Sequence, residues 1–283
     1  MTTTANLVSQ KPESHTERQL VKRQASSLSI ILWVEWLKYR RTAIVWMPLL
    51  ASLGMVIIAA IIAFQVAQDP ADLASFGPKA TPQRVLVTML TLFWGVFWLP
   101  FQAVILGGMA ADLETRSGVW RILRSRATQP AALYVGKLIF LFCISVLGGL
   151  ALIALTALIG GTMFGFDLPW LSLLTMTALM VAINLPLLAI HLWIGTAYGL
   201  GMSVMIAVGF GLIIGQIFKD QLWAVLPWIW SNFLTNSIQK QLEITGGPQN
   251  ITVPLETLFI LATNVVLLAF IGGLVWFGRR EER

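Results

Sequence analysis

Long apolar runs separated by short polar stretches dominate this sequence. A membrane-spanning helix needs about 20 mostly apolar residues, and six segments fit that requirement: 43–67, 86–110, 138–164, 170–190, 202–218 and 255–277. The fifth segment is the shortest, and its connection to the fourth, 191–201, contains no Lys or Arg, which predicts a tight turn close to the membrane. The pattern therefore predicts an all-α polytopic membrane protein with six transmembrane helices.

A shorter amphipathic segment, 26–41, precedes the first apolar run. Glu35, Lys38 and Arg41 recur at three-residue spacing and so share one helical face, while Trp33 and Trp36 lie among the apolar residues that cover much of the rest. This pattern predicts a helix lying in the headgroup plane and joined to the first span by a bend. A plain cytoplasmic extension of the first span is the alternative.

Two further stretches complete the organisation. Residues 222–234 are too few to span a bilayer and are rich in Trp, which suits an interfacial or re-entrant helix. Residues 1–25 are polar, mixed in charge and without a signal-peptide pattern, so we expect a flexible cytoplasmic tail. The predicted domains are therefore this tail and a single six-span unit, 26–283.

Composition and charge support the membrane interpretation and orient the chain. The sequence is 57% hydrophobic and 11% charged, with a mean hydropathy of +0.78, which leaves too little polar surface for a soluble globule. Of its 19 Lys and Arg residues, only Lys79, Arg84, Lys219 and Lys240 fall on the side opposite the N-terminus. The positive-inside rule then predicts that both termini are cytoplasmic. The basic residues sit at membrane ends and suit contact with anionic lipid rather than with nucleic acid.

A charged stretch, 112–137, separates the second and third predicted spans. It must lie outside the hydrocarbon, since it carries Asp112, Glu114, Arg116, Arg121 and Arg124 within a short distance. This composition predicts a cytoplasmic loop that serves as a docking surface. A solvated basic flank of the membrane is the alternative.

The predicted spans contain few polar or charged side chains that could serve a functional site. No Asp, Glu, Lys or Arg falls near a bilayer midpoint, and the polar groups there include Gln102, Asn184 and Asn264, which could line a translocation path or form hydrogen bonds between helices. The single Cys143 suits a buried apolar position, His191 suits an interfacial position, and no metal-binding or catalytic motif is present. A secondary transporter and a membrane-embedded enzyme are both disfavoured, by the lack of an intramembrane charge and of a nucleophile or metal cluster respectively.

Several of these features together resemble the type-2 ABC exporter permeases. They are the Glu35, Trp36, Leu37, Lys38 core of the first helix, the loop from Glu114 to Arg121 with Gly118 and Trp120, and the Pro130 and Lys137 that follow it. The segment from His191 to Gly215 is similar to the permeases of bacteriocin, lantibiotic and bacitracin self-protection exporters. The resemblance covers residues 26–283.

The resemblance implies a division of labour between chains. It assigns ATPase docking to the loop residues Asp112, Glu114, Arg116, Gly118, Trp120, Arg121 and Arg124, and it places ATP and Mg in a separate ATPase subunit rather than in this chain, which would carry no cofactor. It also implies a second permease chain, either a copy or a relative. The expected function is ATP-driven export of a hydrophobic or amphipathic peptide, drug or lipid-like compound across a prokaryotic plasma membrane. A secondary transporter or a membrane-embedded enzyme acting without an ATPase remains the alternative.

Overall fold

The structure is a computed structural model that describes residues 28–116, 130–214, 217, 219–222, 224–243 and 254–281. Regular structure in these ranges is helical throughout. The chain begins with the N-terminal helix Leu28–Tyr39, the first span Ala43–Gln68 and a short helix Pro70–Ser75. The second span is continuous through Pro82–Leu90, Thr91–Trp98 and Leu99–Arg116, and the third is continuous through Pro130–Leu155, Thr156–Gly160 and Gly161–Phe164. The fourth span, Trp170–Tyr198, is followed by a fifth helix, which consists of Leu200–Ile206 and Ala207–Ile214. After it come the short helices Lys219–Leu222 and Pro227–Ile229, a half-helix Trp230–Gln241 and the last span Leu255–Glu281.

Five helices in the described ranges are long and apolar enough to cross a membrane. They correspond to the first, second, third, fourth and sixth predicted segments, which confirms a polytopic all-α membrane protein. The fifth predicted segment, 202–218, forms a shorter apolar helix that begins at Leu200 and can be followed to Ile214. Gly199, with φ of +89°, turns the chain between the fourth span and this helix, as the uncharged connection predicted.

The N-terminal helix is separate from the first span. It ends at Tyr39, and Thr42 has extended backbone angles before the span begins at Ala43. Its exposed surface is apolar and includes Ile30, Trp33 and Leu37. A continuous extension of the first span is therefore not what forms, and the position of this helix in the headgroup plane stays a prediction.

The half-helix Trp230–Gln241 packs among the spans rather than lying on their surface. Trp230 at its start is fully buried, and its neighbours are the second and fourth spans. Just past its other end, the Leu242 carbonyl accepts a hydrogen bond from Arg84 at the start of the second span, with an N–O distance of 2.9 Å. This helix begins at Trp230, near the end of the predicted stretch 222–234, and its interfacial or re-entrant position in the membrane stays a prediction.

Three described stretches are π-helical, Thr91–Trp98, Thr156–Gly160 and Ala207–Ile214. The first has a clear cause. Pro100 has no N–H and its ring conflicts with the carbonyl of Val96, so the regular i to i−4 ladder cannot continue, and the Leu99 N–H bonds the Trp94 carbonyl five residues back instead. Such wider turns occur often at functional sites.

Candidate functional site: a buried ion-pair cluster and an apolar pocket

Four charged side chains meet at one end of the helix bundle. Lys38 Nζ lies 2.6 Å from Glu35 Oε1 and 3.0 Å from Glu114 Oε1, and Glu114 also pairs with Lys137. Glu35, Glu114 and Lys137 are buried and Lys38 is 25% exposed. We call these four residues the ion-pair cluster.

The cluster joins three elements that are distant in sequence. Glu35 and Lys38 come from the N-terminal helix, Glu114 from the end of the second span and Lys137 from the start of the third. Nearby, the Tyr39 hydroxyl donates to the Ala110 carbonyl of the second span at 3.3 Å. These contacts hold the N-terminal helix against the ends of both spans, on the side from which the loop 117–129 leaves.

The cluster contains two carboxylates and two ammonium groups: Lys38 lies between Glu35 and Glu114, and Lys137 pairs with Glu114. Burial alone would lower the pKa of Lys38, but Glu114 and Glu35 outweigh this effect and raise it. A raised lysine pKa means that the stabilising charge is present at neutral pH and is lost only as the pH rises through that raised value, beyond 10.5. Lys38 therefore stays charged over the physiological range.

The predicted docking residues fall into different environments. Glu114 is buried and occupied by Lys38 and Lys137, so it does not present a free carboxylate to a partner. Asp112 is half-buried on the last turns of the second span, which ends at Arg116. Gly118, Trp120, Arg121 and Arg124 lie outside the described residues. ATPase docking by this set stays a prediction. Glu114 is not available for direct contact with a partner and instead joins the N-terminal helix and the third span to the end of the second span.

The N-terminal helix also differs from the simple amphipathic expectation. Glu35 and Lys38, predicted on a polar face, turn toward the bundle and into the cluster, while Trp33 and Trp36 are exposed. Arg41 follows the helix and is exposed. The charged face is thus an internal contact, and the two Trp side chains lie on the exposed face.

A second feature is a pocket of about 370 Å³ beside the middle of the second span. Its walls come from the second span, the fifth helix, the short helix Pro227–Ile229 and the start of the half-helix. The fifth-helix wall is π-helical, and the second-span wall is π-helical up to Trp98. The lining residues are Leu92, Val96, Phe97, Pro100, Phe101, Val104, Ala207, Gly211, Trp228 and Asn232. Only Trp228 and Asn232 carry polar side-chain atoms, so the pocket suits an uncharged, mainly apolar group.

Trp228 forms one corner of this pocket and is held from several sides. Its ring stacks on Phe210 with centroids 6.2 Å apart, and it passes close to Gly211, where an added Cβ would lie 3.1 Å from the indole. Its Nε1–H donates to His191 Nε2 of the fourth span at 3.0 Å. His191 is fully buried rather than interfacial, which corrects the sequence-based interpretation of that residue.

The three neutral residues predicted for a translocation path do not line this pocket. Gln102 is buried and bridges the second and third spans, accepting from Trp98 at 2.9 Å and donating to Ser145 at 2.8 Å. Asn184 is buried, and its amide has no hydrogen-bond partner among the described residues. Asn264 is exposed on the last span and donates to the carbonyl of Ile260. Of the two predicted roles, lining a path or bonding between helices, Gln102 has the second.

Residues 31–218 match the ABC-2 family transporter protein family. That match covers most of the chain and includes the N-terminal helix, the ion-pair cluster and the first five helices. The chain belongs to this family. It is therefore a type-2 ABC permease, a multi-pass transmembrane component of an ABC transporter, and permeases of this kind work with an ABC ATPase. A comparison with individual curated proteins finds no match.

The sequence did not predict three residues of this permease as site residues: Lys137, His191 and Trp228. Each has an ordinary sequence context, since the first is a lysine at a membrane end, the second a lone histidine and the third a tryptophan in a Trp-rich stretch. One signal for Lys137 was present. Glu114 and Lys137 flank the same loop, so antiparallel spans must bring these opposite charges to one end of the bundle.

Proposed function

We propose that this permease is the transmembrane subunit of an ATP-driven exporter, that its ATPase docks on the loop between the second and third spans, and that a hydrophobic or amphipathic substrate enters the pocket. The observation that carries the proposal is the ion-pair cluster. It places Glu114 and Lys137, which flank the loop, in one buried network with the N-terminal helix.

This network gives a physical route for coupling. A docking event that moves the loop displaces the ends of the second and third spans, and the cluster makes the N-terminal helix move with them, because separating buried charges is costly. The second span continues without interruption from Glu114 to the pocket wall at Val96 and Pro100. Movement at the cytoplasmic end can therefore alter the pocket.

The substrate class follows from the pocket lining. Nine of the ten lining residues are aliphatic, aromatic, proline or glycine, and none of the ten is ionisable. A charged group placed there would lose its hydration without a partner. An apolar chain or ring with one hydrogen-bonding group beside Asn232 fits this environment, which is the chemistry of an amphipathic peptide, a drug or a lipid-like compound.

A secondary transporter is the alternative with the most direct structural test. Such carriers place an ionisable group at the substrate site near the membrane midplane. Among the described residues, the salt bridges gather at the two ends of the bundle, with Glu35, Lys38, Glu114 and Lys137 at one and Lys79, Arg84 and Glu243 at the other. This arrangement favours an energy source outside the chain.

The test is co-purification of the permease with its ABC ATPase from co-expressing cells. Arg121→Glu with Arg124→Glu should reduce recovery of the ATPase and abolish any stimulation of ATP hydrolysis by the permease, because both charges lie in the loop. Lys79→Glu, a charge reversal at the opposite end, is the matched control and should leave both measurements unchanged. Full recovery and full stimulation in the loop variant would contradict docking at this site.

A further inference from the structure

His191 lies behind the pocket wall rather than in it, and its two ring nitrogens bind two different elements. Nδ1 lies 2.8 Å from Ser203 Oγ on the fifth helix, and Nε2 lies 3.0 Å from Trp228 Nε1. The rings of His191 and Trp228 meet edge to face with centroids 5.6 Å apart. One buried side chain of the fourth span thus connects the fifth helix with the short helix Pro227–Ile229, which precedes the half-helix.

Donor and acceptor chemistry fixes the state of this contact. An indole N–H can only donate, so Nε2 of His191 must carry a lone pair. The neutral imidazole then has its proton on Nδ1, which donates to Ser203 Oγ. Both nitrogens have a hydrogen-bond partner in this one tautomer, and the Trp228 N–H donates its hydrogen bond on the side away from the pocket.

The backbone around His191 leaves it little freedom. A Cβ added at Gly107 of the second span would lie 2.7 Å from the Leu192 nitrogen and 2.9 Å from the His191 carbonyl carbon. One added at Gly108 would lie 2.5 Å from Leu200 and 3.6 Å from Ser203. The second span therefore packs directly on the backbone that carries His191 and close to Ser203.

We propose that His191 is a positioning residue for the pocket: it holds the Trp228 indole back by its N–H, so that the pocket stays open and its wall stays apolar. Without this acceptor, the Trp228 N–H needs another partner, and Asn232, about one turn further along the chain, also lines the pocket. Rotation toward it carries the indole into the cavity. The pocket then loses volume and gains a second polar group beside Asn232.

The inference rests on the proposed function in that the pocket is taken as the substrate site, but its test needs neither ATP nor transport. Purified permease is labelled with the neutral photoreactive probe trifluoromethyl-iodophenyl diazirine, and labelled residues are located by mass spectrometry. Labelling in the pocket is read on Val96, Pro100 and Val104. Lipid-facing labelling is read on Leu171 and Leu268, which are 71% and 68% exposed, and serves as the internal reference.

Wild-type permease should show pocket labelling that an excess of an analogue of the probe without the diazirine suppresses. His191→Phe keeps a ring of similar size without an acceptor, and it should lower pocket labelling about three- to tenfold relative to Leu171 and Leu268, the factor expected for losing one hydrogen bond. His191→Gln supplies both an acceptor and a donor and should restore most of the labelling, which a merely volume-filling role would not predict.

Tyr134→Phe is the matched control. It removes a different hydrogen bond to the fourth span, from the Tyr134 hydroxyl to the Ala189 carbonyl at 3.1 Å, and it should leave pocket labelling unchanged. Three results would each overturn the proposal. They are pocket labelling at the wild-type level in His191→Phe, pocket labelling as low in His191→Gln as in His191→Phe, and an equal loss of pocket labelling in Tyr134→Phe. Co-purification with the ATPase is measured separately, so a failure to co-purify would contradict the docking proposal without changing the interpretation of the pocket labelling.

Discussion

At the scale of single residues, burial decides which charges matter. Glu114 and Lys137 are each about 95% removed from solvent on the side chain, whereas Lys79 and Glu243 at the other end are 62% and 51% exposed. Buried charges cost several kcal/mol to desolvate and depend on their partners, while exposed pairs contribute little. The ion-pair cluster should therefore dominate the response to charge removal.

Lys137→Met should destabilise the permease strongly. Glu114 would then share Lys38 with Glu35, and an uncompensated buried carboxylate typically costs about 3–5 kcal/mol. Thermal unfolding in detergent, followed by circular dichroism, measures the loss. The double variant Glu114→Met, Lys137→Met leaves the Glu35–Lys38 pair intact and should recover much of the stability. Lys79→Met is the exposed control. Equal stability of the single and double variants would show that the cluster is not energetically coupled.

At the scale of helices, the sequence predicts the long spans well, because about 20 apolar residues in a row have few alternatives in a membrane protein. It predicts the fifth helix poorly. The predicted segment, 202–218, contains Gly209, Gly211 and Gly215. The length of the helix depends on a π-helical stretch and on packing against Trp228, neither of which a hydropathy pattern encodes.

Side-chain direction was likewise beyond the sequence. The three-residue spacing of Glu35 and Lys38 correctly places them on one helical face, but an amphipathic pattern does not say whether that face meets water or a partner charge. The partners, Glu114 and Lys137, lie 76 or more residues away. The pocket depends on contacts of the same kind, since Trp228 and Val96 come together only through the fold.

Close packing of the second and fourth spans should be sensitive to single methyl groups. Gly107→Ala would place a Cβ 2.7 Å from the Leu192 nitrogen, a clash with backbone that a rotamer change cannot relieve, and overpacking of this kind costs about 1–3 kcal/mol. Thermal unfolding should report the decrease. Gly54→Ala in the first span has nothing within 4 Å of the added carbon and should cause no loss. Similar stability of the two alanine variants would contradict the tight contact.

At the scale of the whole molecule, the structure separates two chemically different ends. One holds the ion-pair cluster, the N-terminal helix and the base of the loop 117–129. The other holds Lys79 and Arg84, which both approach Glu243; the Lys79 ammonium, by hydrogen bond and charge, lowers the pKa of that exposed carboxyl. This second contact ties the connection between the first two spans to the chain that follows the half-helix.

The orientation of these ends in the membrane is predicted by the uneven distribution of Lys and Arg along the sequence. Cysteine labelling in intact cells tests it, in a Cys143→Ser background that removes the native thiol. Ser75→Cys and Arg40→Cys occupy exposed positions at opposite ends. An impermeant maleimide should label Ser75→Cys in intact cells, whereas Arg40→Cys should react only after permeabilisation, because the positively charged end faces the cytoplasm. Labelling of Arg40→Cys in intact cells, with protection of Ser75→Cys, would reverse the orientation and place the loop 117–129 where no ATPase could reach it.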